Sequence, residues 1–128
     1  KENILPIEES GHLNFLQKDQ KFYKNFDVLY VDGHTESQMI PHIKYKDKTI
    51  VFAADLLPST GHIPLAYVMG YDTQPLKTLD EKSVFLKSAA DKNYIIFLQH
   101  DNYNECCTVK HSEKGVVLDK TFKLSEIL

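Results

Sequence analysis

Thr49-Ile50-Val51-Phe52-Ala53-Ala54-Asp55 is a short apolar run closed by a carboxylate. Its length, its β-branched content and its lack of polar alternation read as a strand buried on both faces. Immediately upstream, Lys46-Asp47-Lys48 forms a tight polar turn. Residues 39–45 alternate before it, with Ile40, His42 and Lys44 to one side and Pro41, Ile43 and Tyr45 to the other. Proline near the start of a strand is tolerated. Further upstream, Phe26-Asp27-Val28-Leu29-Tyr30-Val31 reads as another strand, stopped at Asp32-Gly33 with Thr35 and Ser37 close by. The chain from Phe26 to Asp55 is therefore three strands joined by short turns.

Outward from this unit the pattern changes. Residues 1–25 are polar, with a short strand expected at 13–16 and a turn at Lys18-Asp19-Gln20. Downstream, residues 56–72 hold Pro58, Gly61, Pro64 and Gly70 and fit no single element, and loops of that length are often functional. Helix signals resume at Pro75. An apolar stripe is read through Leu76, Leu79, Val84, Leu86 and Ala90, with Thr73 or Thr78 as the cap. Residues 94–98 are a second buried strand, and 105–111 and 116–123 pair as a hairpin. Residues 125–128 read as the start of a helix.

Composition narrows the function. The chain has 128 residues, 42% hydrophobic and 26% charged, which is globular composition for one domain. Net charge is −3 and pI about 6.1, with no concentrated basic face, so nucleic acid is not expected as a partner. No apolar run approaches the ~20 residues of a membrane helix, and no membrane partner is expected. Cys106 and Cys107 are adjacent and read as free thiols on opposite faces of one strand, without metal-site or redox spacing. Free thiols suit a reducing compartment such as the cytoplasm. The chain opens at Lys1 without an initiator Met, as expected of a piece of a longer or processed product. Any signal peptide would have gone with the missing segment, so the compartment stays open.

Three polar residues share one kind of position. His34 follows the first strand, Asp55 the third and His100 the strand at 94–98. If these strands lie in one sheet with matching directions, the three side chains gather on one rim, where ligand sites of α/β architectures form. Two imidazoles and a carboxylate suit zinc, with manganese or iron as alternatives. Each residue also has an ordinary reading: His34 and Asp55 as turn or cap residues, His100 as an exposed strand-end histidine.

The motifs Asp32-Gly33-His34-Thr35, Ile50-Val51-Phe52-Ala53-Ala54-Asp55-Leu56-Leu57-Pro58 and Phe97-Leu98-Gln99-His100-Asp101 resemble, in order and spacing, the later motifs of the metallo-β-lactamase-fold superfamily. The intervals are 21 residues from His34 to Asp55 and 45 from Asp55 to His100. The stretch containing His62, Met69-Gly70-Tyr71 and Asp72 is similar to the acyl-homoserine lactone lactonase branch. That family's leading His-x-His-x-Asp-His motif is absent: 33 residues precede His34, with His12 the one histidine among them. The resemblance implies that residues 1–128 are a single C-terminal portion of such a domain, the N-terminal half missing. The implied fold class is α+β: half of a four-layer αββα sandwich, with a mainly antiparallel or mixed sheet and flanking helices.

What the resemblance implies about function follows. The complete protein would be a di-zinc hydrolase whose metal-activated water attacks an ester or lactone. His34 and His100 would each hold one of the two metals and Asp55 would bridge them. His62, Tyr67 and Tyr71 would line the substrate pocket, and Asp101 would orient His100 from behind. With three of seven ligands the chain alone would bind metal weakly and hydrolyse poorly. Its expected partners are a small ester or lactone and either the missing half or a second copy of itself. The alternative is a binding or scaffold module that uses the fold without a complete metal site.

Overall fold

The strand at Phe26–Val31 (β1) pairs antiparallel with Gln38–Tyr45 (β2), which pairs antiparallel with Lys48–Phe52 (β3). The structure is a computed structural model and describes residues 3–17 and 21–127. A short helix at Leu5–Glu9 (α1) precedes the sheet. After β3 the chain leaves the sheet through single turns of 3-10 helix at Ala54–Leu56 and Thr60–His62, and then helix Pro75–Asp91 (α2). It returns as Ile95–Phe97 (β4), parallel to β3, because a crossover through a helix lets neighbouring strands run the same way. Cys106–Ser112 (β5) and Gly115–Phe122 (β6) close the sheet as an antiparallel hairpin. Gly115 takes φ +104 in the hairpin turn, a conformation that side chains disfavour. The result is one six-stranded mixed sheet in the order β1-β2-β3-β4-β5-β6, in agreement with the α+β class.

The register separates the two faces of the sheet. Val31, Ile40, Val51, Ile96, Cys107 and Val109 share one face and are nearly inaccessible. They pack with Phe85, Leu86 and Ala89 of α2 and with Leu56, Leu57 and Ile63 of the crossover into one core. Phe26, Tyr30, Met39, Ile43, Ile50, Phe52 and Phe97 share the other face. Met39 and Ile43 are exposed there, and Phe26, Tyr30, Ile50, Phe52 and Phe97 are only half-buried.

Three local expectations are corrected. Residues 13–16 form no strand; the element in that region is α1, none of whose residues is buried. The buried side of α2 is Thr78, Lys82, Phe85, Leu86 and Ala89, whereas Leu76 and Val84 face solvent. Leu86 of the expected stripe is buried and Leu79 and Ala90 are half-buried. The stripe missed two polar residues on the buried side: Thr78, whose Oγ1 donates to the Gln74 carbonyl, and Lys82, which donates to carbonyls of residues 62–67. The residue before α2 is Gln74, which makes no side-chain cap; Thr73 Oγ1 donates instead to the His34 carbonyl at 2.9 Å. The tail is a 3-10 turn, Leu124–Glu126. The turn expected at residues 18–20 lies outside the described residues. Cys106 and Cys107 are free, buried and on opposite faces.

Candidate metal centre

Strands β1 and β3 are both antiparallel to β2, so they run the same way, and β4 is parallel to β3. The C-terminal ends of all three therefore lie on one rim. That direction brings His34, Asp55 and His100 together from distant parts of the chain.

His34 sits in a turn held from several sides. The Glu81 carboxylate of α2 accepts the backbone N–H of Asp32 at 2.9 Å through Oε1 and that of Gly33 at 3.0 Å through Oε2. The Gly33 carbonyl accepts from Gln74 N at 2.8 Å. A Cβ at Gly33 would stand 2.5 Å from the backbone nitrogen of Thr78, so only glycine fits where the turn meets α2. The imidazole follows: His34 Nδ1 lies 2.9 Å from Asp72 Oδ1, in a pair with the Asp72 side chain fully buried. An Nδ1–H donated to a carboxylate leaves Nε2 with its lone pair free.

That Nε2 faces Asp55 Oδ2 at 3.6 Å, and His100 Nε2 faces Asp55 Oδ1 at 3.1 Å. Asp55 thus offers one oxygen to each histidine. Gln38 Nε2 also donates to Asp55 Oδ2, at 3.2 Å. Asp55 follows Ala54, whose φ of +44 is left-handed and costs about 1 kcal/mol in a non-glycine residue. His100 N donates to the Pro58 carbonyl at 3.0 Å, tying the end of β4 to the crossover.

The donor types fit a cation. Two ligand atoms on one tetrahedral zinc stand about 3.3 Å apart, from bond lengths near 2.0–2.1 Å, comparable with the two Asp55–His separations. Asp72 Oδ2 and Gln38 Oε1, both beside the rim, are buried without a hydrogen-bond partner, a state that native structures rarely leave unexplained. The donor count falls short: among the described residues no group of three or more His, Cys, Asp or Glu is placed to hold one ion. The fit is to part of a metal site.

The remaining candidates lie elsewhere. His62 is half-buried, with Nδ1 hydrogen-bonded to Ser59 Oγ at 2.8 Å. Burial, aided by the charge of Lys82, pushes its pKa down. Tyr67 and Tyr71 are exposed on the crossover. Asp101 turns its carboxylate to the loop around it. Its carboxylate accepts from Thr60 N, Thr60 Oγ1, Tyr103 N and Asn104 N. Burial opposes its charge, but those donors outweigh burial and hold its carboxyl well below the usual range. It braces the loop that follows β4.

No protein-family model matches the sequence, and no curated protein does. Solved structures do. The chain superposes on AidC, a dizinc quorum-quenching lactonase in complex with a product, N-hexanoyl-L-homoserine, with TM-score 0.77 and 22% identity, over 94% of this chain and 42% of that one. It superposes on AbOPH, a hydrolase in the beta-lactamase superfamily, with TM-score 0.79 and 18% identity over the same shares. A probable metal-dependent hydrolase from Staphylococcus aureus matches with TM-score 0.72 and 22% identity, over 88% of this chain and 42% of that one. The fold is consistent with the C-terminal half of a metallo-β-lactamase fold. The chain spans well under half the length of each of these three structures.

Sequence reasoning assigned no role to Asp72, Gln38 or Glu81. Asp72 was visible as the polar end of the stretch that resembles the lactonase branch. Gln38 and Glu81 left no local signal, because one acts across the β2–β3 pair and the other from mid-helix.

Proposed function

We propose that this chain is the C-terminal part of a metal-dependent hydrolase, supplying His34, Asp55 and His100 to a two-metal site completed by an N-terminal half. The observation that carries this reading is the Asp55 carboxylate, which presents one oxygen to His34 Nε2 and the other to His100 Nε2. A carboxylate with both oxygens aimed at separate imidazoles suits a bridge between two ions better than a single-metal site. When bound, such ions lower the pKa of water and polarise a substrate carbonyl. The chain's own part is positional: Asp72 holds the His34 ring, Glu81 holds the turn beneath it, and Gln38 orients Asp55.

The exposed sheet face supports the same reading. A broad apolar surface in water is unfavourable and marks a face that something covers. The length of the structural neighbours leaves room for an N-terminal half to cover it. An ester or lactone is the proposed substrate class, since AidC is a lactonase with a bound product. Half-buried His62 and exposed Tyr67 and Tyr71, on the crossover loop, are proposed to contact substrate in the completed enzyme.

The test is zinc stoichiometry of the chain alone and after mixing with a separately produced N-terminal half, each with Asp55→Ala beside it. Substoichiometric zinc in the chain alone, rising to two per complex with lactone hydrolysis and falling in Asp55→Ala, is the expected result. Two zinc per complex in Asp55→Ala would remove the bridging role. A complex that forms without metal or hydrolysis would favour the scaffold reading, towards which the short donor count points.

A further inference from the structure

A second concave surface is formed without any of His34, Asp55, Asp72 or His100. It is a groove of about 500 Å³ between residues 60–66, α2 and the β5–β6 hairpin. Ile63, Leu65, Leu86, Val116 and Leu118 contribute its apolar lining. Leu65 and Leu118 are each at least 40% exposed, so an empty groove leaves apolar surface in water.

The groove has a braced wall. Lys82, 1% exposed, donates Nζ to the carbonyls of His62 at 3.0 Å, Pro64 at 3.3 Å and Tyr67. One buried ammonium thus gathers the polar backbone of this segment, while Ile63 and Leu65 line the groove. Outside the groove, Asp91 at the end of α2 contacts His111 Nε2 at 2.7 Å and ties the helix to the hairpin. Lys87, one turn before Asp91, and Lys114, in the hairpin turn, also line the groove. Lys44, Lys77 and Lys110 are each paired with an aspartate. Lys87 and Lys114 form no ion pair among the described residues.

We propose that this groove binds a single-chain aliphatic carboxylate, with the chain along Leu65 and Leu118 and the head group at Lys87 and Lys114. The volume is in the small-molecule range. An apolar trough lined by two lysines that form no ion pair among the described residues matches one chain with one anionic head, and a neutral chain would leave those ammonium groups without a partner. The site is separate from the rim of Asp55 and does not depend on the hydrolase reading.

The test is titration of the 128-residue chain with decanoate at neutral pH, below its micellar concentration, by calorimetry and methyl NMR. Expected are saturable binding of one decanoate per chain and shifts at Leu65, Val116 and Leu118. Decanol and the Lys87→Glu/Lys114→Glu variant should each bind roughly tenfold more weakly, as for loss of two exposed charge contacts. Asp55→Ala should bind decanoate unchanged. Absence of saturation, equal affinity for decanol, or shifts confined to Met39 and Ile43 would overturn the proposal. Loss of binding in Asp55→Ala would also overturn it, by placing the ligand at the rim.

Discussion

Lys82 is the residue that hydropathy reads least well. Its ammonium lies on the buried side of α2 and serves three carbonyls of the crossover. Burial pulls its pKa from 10.5 down to about 8, with the charge of Asp72 pulling the other way. Between those values the unfolded chain holds a proton that the folded chain has released, so stability rises with pH across that window. Urea unfolding should show the wild type gaining up to about 3 kcal/mol on Lys82→Met between pH 7.5 and 10.5; a constant difference would mean the ammonium is not buried. Gly33 is decided by packing. A methyl group there meets the Thr78 backbone at 2.5 Å, and backbone cannot yield as a flexible side chain can. Gly33→Ala should cost about 3 kcal/mol or more in thermal unfolding, and a melt within a degree of wild type would show that the turn does not press on α2. Cys106 and Cys107 carry no such role: burial raises their pKa to about 11 and about 12, which keeps both as inert thiols at neutral pH.

At the scale of elements, α2 does two jobs. Its Phe85, Leu86 and Ala89 close the core over the sheet, and its Glu81 fixes the turn that carries His34. Glu81→Gln puts an amide NH₂ against one of the two backbone N–H groups. It should lower stability by about 2 kcal/mol in urea unfolding, the scale of a lost charge-assisted bond with a donor left unpaired. Recovery in Glu81→Ala of full wild-type stability would show that the two N–H groups find water instead. The strands β1 to β4 and the β5–β6 hairpin were legible from turns and apolar runs, because each is short and bounded by polar or turn residues. The full buried side of α2 was not, because Thr78 and Lys82 are polar, and Lys82 is buried through carbonyls 15 to 20 residues away. The strand expected at residues 13–16 failed for a related reason: four residues with apolar character pair only if a neighbouring strand is offered, and none is.

For the whole molecule, the decisive feature is asymmetry between the two faces of the sheet. One is largely covered by α2 and the crossover; the other buries Ile95 and Cys106 but leaves Met39 and Ile43 in water beside half-buried Phe26, Phe52 and Phe97. Sedimentation of the isolated chain should show concentration-dependent association. Met39→Glu with Ile43→Lys should shift it towards monomer without lowering the melting temperature by more than a few degrees. A wild-type chain that stays monomeric at high concentration would mean this face is stable in water, and the need for a covering half would fall away.

The sequence by itself determined the six strand segments of the sheet, including the β5–β6 hairpin, and the placing of His34, Asp55 and His100 just after strand ends. Local composition is enough for that, since turn residues and apolar runs act within a few positions. Only the tertiary structure decided that β1, β3 and β4 run in one direction, so that those ends share a rim, and that Asp55 divides its oxygens between two imidazoles. It also recruited Asp72, Gln38 and Glu81. These depend on strand pairing and on a helix folded back across the sheet. Contacts between residues 17 to 49 positions apart are set by global packing, which no local pattern encodes.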